Sequence, residues 1–141
     1  MRFAFSSLLS LAILAGCSRA PTGMAADLPG TTWTLERVVL ADGGVLRGLD
    51  DQVTFGPDGG LTLSSCNTCT GRFRLRTDEL QIEEPLACTR RGCPGDRVEL
   101  ERYLAGRHRL RMDGQYLVAE PINDGAEAVQ VMFLPGGATG L

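Results

Sequence analysis

Apolar residues recur at every second position along most of the chain beyond residue 30, in short segments bounded by Gly, Asp and Pro. This period is typical of strands that bury one face and expose the other. We therefore predict a strand-rich domain. The predicted strands span residues 32–40, 52–55, 61–64, 72–76, 79–84, 107–112, 115–120 and 128–134.

Short polar links predict which strands pair as hairpins. The two residues at 77–78 place Arg76 opposite Glu79 and bring the apolar residues of both strands to one face. The Asp113-Gly114 dipeptide predicts a tight hairpin turn, because such residues tolerate positive φ angles.

One segment, DRVELERYLA at 96–105, changes to helical spacing. It follows Pro94-Gly95 and ends before Gly106, as helices commonly do. The predicted fold is α+β but mainly β: a compact antiparallel domain with one helix at about 95–105.

The first residues predict export and anchoring. Arg2 precedes an apolar run that ends at Cys17, too short to span a bilayer but typical of a secretory signal. The run closes on LAGC, which resembles the lipobox of bacterial lipoproteins, although an ordinary signal with an incidental cysteine is the alternative. We therefore divide the chain into four regions: a lipoprotein signal peptide (1–16), a lipidated N-terminus and flexible tether (17–30), the domain (31–135) and a flexible tail (136–141).

The lipobox resemblance implies that palmitate-type acyl chains on Cys17 hold the mature protein at a membrane. Ser18 follows, where Asp would be the usual signal for retention at the inner membrane. The expected location is therefore the outer membrane, facing the periplasm.

Four more cysteines lie within the predicted domain, and their spacing allows three interpretations. Cys66 and Cys69 belong to CNTC, and Cys88 and Cys93 follow downstream. Exported thiols usually form disulfides, which favours two bridges. A zinc site of four thiolates and a redox-active CxxC pair remain alternatives, but the last spacing does not fit zinc ribbons, and the CxxC does not begin a helix.

Arginines alternate along two predicted strands. The expected registers place Glu79, Glu83 and Glu120 opposite Arg76, Arg72 and Arg107, respectively. This leaves Arg74, Arg109 and Arg111 as candidates for binding an anionic envelope component. A solvated outer face is the competing interpretation, and the one that we favour.

Other chemistry is not indicated. The single histidine, His108, falls on the apolar face of its strand, where a hydrogen-bonded core role is more common than a ligand role. No nucleophile, base and orienting group are placed together, so we predict no catalytic residues, no metal and no cofactor. The net charge of −3 gives no reason to expect a nucleic-acid partner.

Several short motifs together resemble the META domain of HslJ-like bacterial lipoproteins. They are Trp33-Thr34-Leu35, Cys66-Asn67, Gly71, Phe73, Leu80, Ile82 and Ala87-Cys88, followed by an acidic helix and two closing strands. The resemblance implies a strand-rich α+β fold, no established catalytic activity and an association with heat and envelope stress. It also implies a bridge between Cys66 and Cys88, the two family positions, which leaves Cys69 for Cys93.

The function expected from the sequence is that of a noncatalytic, lipid-anchored periplasmic module in envelope maintenance or the stress response, which binds a protein or an envelope component. The alternative is a carrier or pilot-type module that holds a small apolar ligand or acyl chain. Thiol redox chemistry and zinc binding remain further alternatives. The sequence does not set the oligomeric state.

Overall fold

The computed structural model describes residues 27–136 and contains ten strands and one short helix. In chain order the elements are β1 (Thr31–Leu40), β2 (Val45–Arg47), β3 (Gln52–Phe55), β4 (Gly60–Ser64), β5 (Thr68–Arg76), β6 (Glu79–Ile82), β7 (Ala87–Cys88), α1 (Leu100–Leu104), β8 (Gly106–Asp113), β9 (Tyr116–Pro121) and β10 (Ala128–Pro135).

Eight of the strands close into an antiparallel barrel. They run in the order β1, β3, β4, β5, β6, β8, β9 and β10, and β10 pairs back onto β1 from Trp33↔Pro135 to Leu40↔Ala128. The short strands β2 and β7 add to β1 and β5. Closure pairs both edges of most strands, which satisfies their backbone groups within the sheet.

Alternating side chains fill the barrel. Phe55 and Phe73 meet edge to face with ring centroids 5.1 Å apart, and Leu63 and Val131 are fully buried. A closed sheet of eight strands is just wide enough for such side chains to fill its interior. The hydrophobic core therefore lies inside the barrel, and the buried Leu100 of α1 joins it from outside the sheet.

The predicted strand pattern is confirmed, with a correction to one turn. The register Arg76↔Glu79 is as predicted. In the last hairpin Asp113 pairs with Tyr116, so the turn is 114–115 rather than the predicted Asp113-Gly114. Gly114 alone has a positive φ, of 60°, which suits glycine at the first central position of a tight turn. The register moves by two residues, and each side chain keeps its face.

The predicted helix at 95–105 is too long, because helical geometry is limited to Leu100–Leu104. The preceding segment is fixed by tertiary contacts instead. Val98 is buried in the core, and the Arg97 guanidinium lies 3.4 Å from the buried carboxylate of Asp51. These contacts fix the segment before Leu100 against the barrel although it is not helical.

The predicted signal peptide, the lipidation site Cys17 and residues 137–141 lie outside the described residues. Leu28, which precedes the predicted domain boundary at residue 31, is buried at 3% exposure. Within residues 27–136, no helix combines the length and the apolar character needed to cross a membrane.

Candidate functional site

The four cysteines of the domain form two nested disulfides. Cys69 on β5 lies directly opposite Cys88 on β7 and bonds to it, with the Cα atoms 4.0 Å apart. Cys66 bonds to Cys93, with the Cα atoms 5.7 Å apart. The two cysteines of CNTC thus bond to different partners, and none of the four sulfurs is a thiolate in this state.

The pairing implied by the family positions, Cys66 with Cys88 and Cys69 with Cys93, is wrong. The reason is strand β7, which is too short to show a periodic pattern. Its pairing with β5 places Cys88 opposite Cys69 and leaves Cys66, in the preceding turn, to reach Cys93.

Asn67 fixes the loop between the two bridges. Its Oδ1 accepts hydrogen bonds from the Arg91 backbone N–H at 2.8 Å and from the Thr89 hydroxyl at 3.2 Å. Its Nδ2 lies 3.3 Å from the sulfur of Cys93. One asparagine therefore joins the turn after β4 to the loop after β7.

We call residues 89–93, held by Asn67 and both disulfides, the stapled loop. It presents Arg90 and Arg91, both exposed. Neither guanidinium forms an ion pair with an acid of the described chain. The sequence-based prediction missed this arginine pair, although its place between two cysteines was a usable signal.

The three arginines predicted to lack local partners all have one. Arg74 pairs with Glu83 at 2.6 Å, and Arg109 lies 3.8 Å from Asp78. Arg111 contacts Glu120 at 3.1 Å and Asp113 at 3.3 Å, and these two carboxylates raise its pKa above the ordinary value of an arginine. The prediction that they lack partners is therefore wrong, and this favours a solvated outer face.

The expected pairs on these strands also change. Arg107 pairs with Glu79 at 2.7 Å rather than with Glu120, as the shifted hairpin register requires. Arg72 and Glu83 meet through a backbone hydrogen bond, but the Arg72 guanidinium donates to the Asp58 carbonyl and the Glu83 carboxylate pairs with Arg74.

Replacing Arg74, Arg109 and Arg111 together with glutamine is expected to leave the free energy of unfolding close to that of the wild type, because exposed ion pairs contribute little to stability. Binding to anionic vesicles should stay at the wild-type level. Urea denaturation and vesicle co-sedimentation measure the two effects. A large, salt-sensitive loss of vesicle binding would contradict the solvated-face interpretation.

The family model of the META domain matches residues 26–129, most of the chain. The chain belongs to the META domain family. No curated protein matches it.

Two solved structures share the fold of this META domain. An NMR structure of a protein from Burkholderia xenovorans is 18% identical, with a TM-score of 0.61 over 95% of this chain and 99% of that one. A second NMR structure is 17% identical, with a TM-score of 0.58 over 78% of this chain and 92% of that one.

His108 of the META domain lies in the core, as predicted, at 1% exposure. Its Nε2 lies 3.0 Å from the Tyr103 carbonyl oxygen, which only accepts, so Nε2 carries the proton. Nδ1 has no hydrogen-bond partner among the described residues.

Burial lowers the pKa of His108 below its ordinary value of 6.5, more strongly than the Tyr103 and Gly106 carbonyls raise it. The unfolded chain therefore takes up a proton before the folded domain does as pH falls through 6.5. Stability should be constant just above this pH and decrease below it. In urea denaturation between pH 7.5 and 5.5, a His108→Gln variant should lose most of this decrease. An unchanged pH dependence in the variant would contradict the assignment.

The buried acid Asp51 is also satisfied within the META domain. Its carboxylate accepts the Leu49 backbone N–H at 2.8 Å and faces the Arg97 guanidinium. Among residues 27–136, neither His108 nor Asp51 has a hydrogen bond to a Ser, Thr or Cys side chain. The META domain is not generally known as an enzyme family.

Proposed function

We propose that this META domain is a noncatalytic, lipid-anchored module on the periplasmic face of the outer membrane, and that its stapled loop binds an acidic protein or another anionic envelope component. The proposal rests on the exposed pair Arg90 and Arg91, which have no acidic partner among residues 27–136. The association with heat and envelope stress comes from the family resemblance.

The stapled loop suits recognition because its backbone is already ordered. Two disulfides flank it, and Asn67 fixes the backbone at Arg91. A preorganised loop loses less conformational entropy on binding. Guanidinium groups also bind carboxylates and phosphates through two parallel hydrogen bonds, which gives geometric selectivity as well as charge attraction.

Anchoring rests on the lipobox-like segment that ends at Cys17. Cys17→Ala removes the acceptor thiol, so the precursor should stay uncleaved by the lipoprotein peptidase and carry no lipid. Metabolic palmitate labelling and fractionation of the envelope measure both effects. Labelling that persists in Cys17→Ala would exclude this anchor.

The binding proposal is tested with the full chain carrying Cys17→Ala, used to capture partners from an envelope extract. Arg90→Gln/Arg91→Gln should weaken binding of the specific partner by about 100-fold or more, because each arginine loses one charged hydrogen bond worth about 1.5 kcal/mol or more. Arg74→Gln/Arg109→Gln removes two positive charges as well, but from arginines that already pair with acids. This control variant should capture the partner at the wild-type level.

Equal loss of capture in the two double variants would indicate a general charge effect and contradict recognition by the stapled loop. Equal capture by both would assign the partner to another surface. Peptide mapping after chemical crosslinking locates the contact in either case.

A carrier role is the second candidate, and one cavity favours it. A mainly apolar hollow of about 270 Å³ at the barrel surface is lined by Leu28, Trp33, Met112 and Leu117, with Asp27 as its one charged residue. The barrel interior itself is filled by side chains, so a ligand would have to enter this hollow.

Trp33 is the single tryptophan of the chain and reports directly on that hollow. Under the carrier hypothesis, a brominated short-chain fatty acid should quench its fluorescence, and native mass spectrometry should retain lipid. Met112→Asp should abolish the quenching, whereas Val129→Asp, an exposed site outside the cavity lining, should not. Quenching that is unchanged by Met112→Asp would exclude the cavity.

A further inference from the structure

A buried carboxylate oxygen beside the inner disulfide is unexplained by the fold. Oε2 of Glu101, on α1, is fully buried and has no hydrogen-bond partner in the described structure. A carboxylate oxygen, the Cys69 sulfur and the Cys88 sulfur all lie within 4.8 Å of one another.

An unpartnered buried carboxylate oxygen is costly, because burial removes its water without replacing the lost hydrogen bonds. Such groups are uncommon in folded proteins unless they serve a ligand or store strain. Here the neighbours are two sulfurs, which as thiolates are preferred ligands of Zn²⁺, and carboxylate oxygens bind the same ion. The cluster therefore has the donor set of a metal site, blocked while the sulfurs are bonded to each other.

We propose that reduction of the Cys69–Cys88 disulfide creates a Zn²⁺ site formed by these two thiolates and the Glu101 carboxylate. A dithiol donates two electrons and two protons, the S–S bond breaks, and the dithiol becomes a disulfide. Zn²⁺ then binds the two thiols and releases their two protons. The inference is independent of the stapled loop as a binding surface.

The backbone already permits this geometry. Zn–S bonds of about 2.3 Å in a tetrahedral site separate two sulfurs by about 3.8 Å. Cys69 and Cys88 are direct cross-strand partners with Cα atoms 4.0 Å apart, and the Cβ atoms of disulfide-bonded cysteines lie about 3.5–4.5 Å apart, close to the sulfur separation that Zn²⁺ requires. Side-chain rotation can thus separate the sulfurs without moving either strand.

The fourth position can be filled from solvent. A hollow of about 390 Å³ lies between residues 84–86 and α1, and both Cys88 and Glu101 line it. Three protein ligands and one water are a common arrangement for zinc sites that are open to solvent. This site differs from the four-cysteine site considered from the sequence, because Cys66 and Cys93 take no part.

The test uses the full chain with Cys17→Ala, reduced by a phosphine, which with water converts the disulfide to two thiols and becomes a phosphine oxide. Zinc is measured by elemental analysis and by competition with a chelator. The reduced protein should bind one Zn²⁺ and the oxidised protein none. The absorption of the Co²⁺-loaded protein should show tetrahedral coordination with two thiolates.

Glu101→Gln should weaken Zn²⁺ binding by about 10-fold or more, by analogy with the loss of supporting groups at known sites. Glu99→Gln, an exposed acid two residues earlier, is the matched control and should bind normally. Cys66→Ser/Cys93→Ser should keep the site, which separates it from a four-thiolate cluster.

Three results would overturn the proposal. They are equal zinc content in the oxidised and reduced proteins, equal affinity in Glu101→Gln and Glu99→Gln, and a reduced chain that stays unfolded by circular dichroism in the presence of Zn²⁺. None of them bears on partner capture by Arg90 and Arg91, so the two proposals fail separately.

Discussion

Phe55→Ala is expected to lower the free energy of unfolding by about 3–5 kcal/mol, the range for removing a buried aromatic ring. Phe55 is 2% exposed and packs edge to face on Phe73 inside the barrel. The alanine would leave a cavity that a closed ring of paired strands cannot easily collapse to fill. Urea denaturation monitored by circular dichroism measures the loss.

Val129→Ala is the control for this prediction, because its side chain is 48% exposed on β10. Its effect should be below about 1 kcal/mol, as at most surface positions. Phe55→Leu should fall between the two. If Phe55→Ala and Val129→Ala destabilise equally, Phe55 does not belong to the core of the folded chain.

Cys66→Ser/Cys93→Ser is expected to cost about 3.5 kcal/mol, the chain-entropy value for the 27-residue separation that this bridge spans. The bridge also holds the stapled loop, so its removal should expose residues 89–93 to proteases. Denaturation under nonreducing conditions, compared with limited proteolysis, measures both effects. A stability equal to that of the wild type would contradict the bridge.

A single replacement decides the connectivity. Cys66→Ser should free the thiol of Cys93 and leave the Cys69–Cys88 bridge intact. Trypsin cuts between Cys88 and Cys93, after Arg90 and Arg91, so alkylation and peptide mapping distinguish the two thiols. Alkylation of Cys88 instead would restore the pairing implied by the family positions.

Sequence patterns predicted the barrel strands well because each buries one face. Alternation located β1, β3, β4, β6 and β10 within a residue or two at most ends, and the 76–79 turn fixed one register. The pattern failed where it had too few residues. Strand β7 has two residues and β2 has three, and no period can be detected over such lengths.

The errors in the candidate site follow from that limit. Without β7, nothing in the sequence placed Cys88 opposite Cys69, so the family positions decided the pairing wrongly. Acidic partners were assigned to the arginines of two strands from the directly opposite positions alone. In the structure, Arg74 contacts Glu83 diagonally across the sheet, and Arg109 lies near Asp78 in a turn. Long side chains join neighbours that a ladder of directly opposite positions does not include.

The helix was overestimated for a different reason. Residues 96–105 have helical spacing, but Val98 reaches the core from an irregular segment. The spacing of apolar residues indicates which side chains are buried, but it does not determine whether the backbone that carries them is helical or irregular.

The nested order of the bridges has a consequence for maturation. A chain that crosses a membrane from its N-terminus presents Cys66 and Cys69 to periplasmic oxidants before Cys88 and Cys93 have emerged. The first bond available is then a Cys66–Cys69 ring, which the finished domain does not contain. Forming the native disulfides then requires the thiolate of a later cysteine to attack the Cys66–Cys69 disulfide, followed by further thiol–disulfide exchange. If the chain is exported as proposed, its yield should therefore depend on a disulfide isomerase.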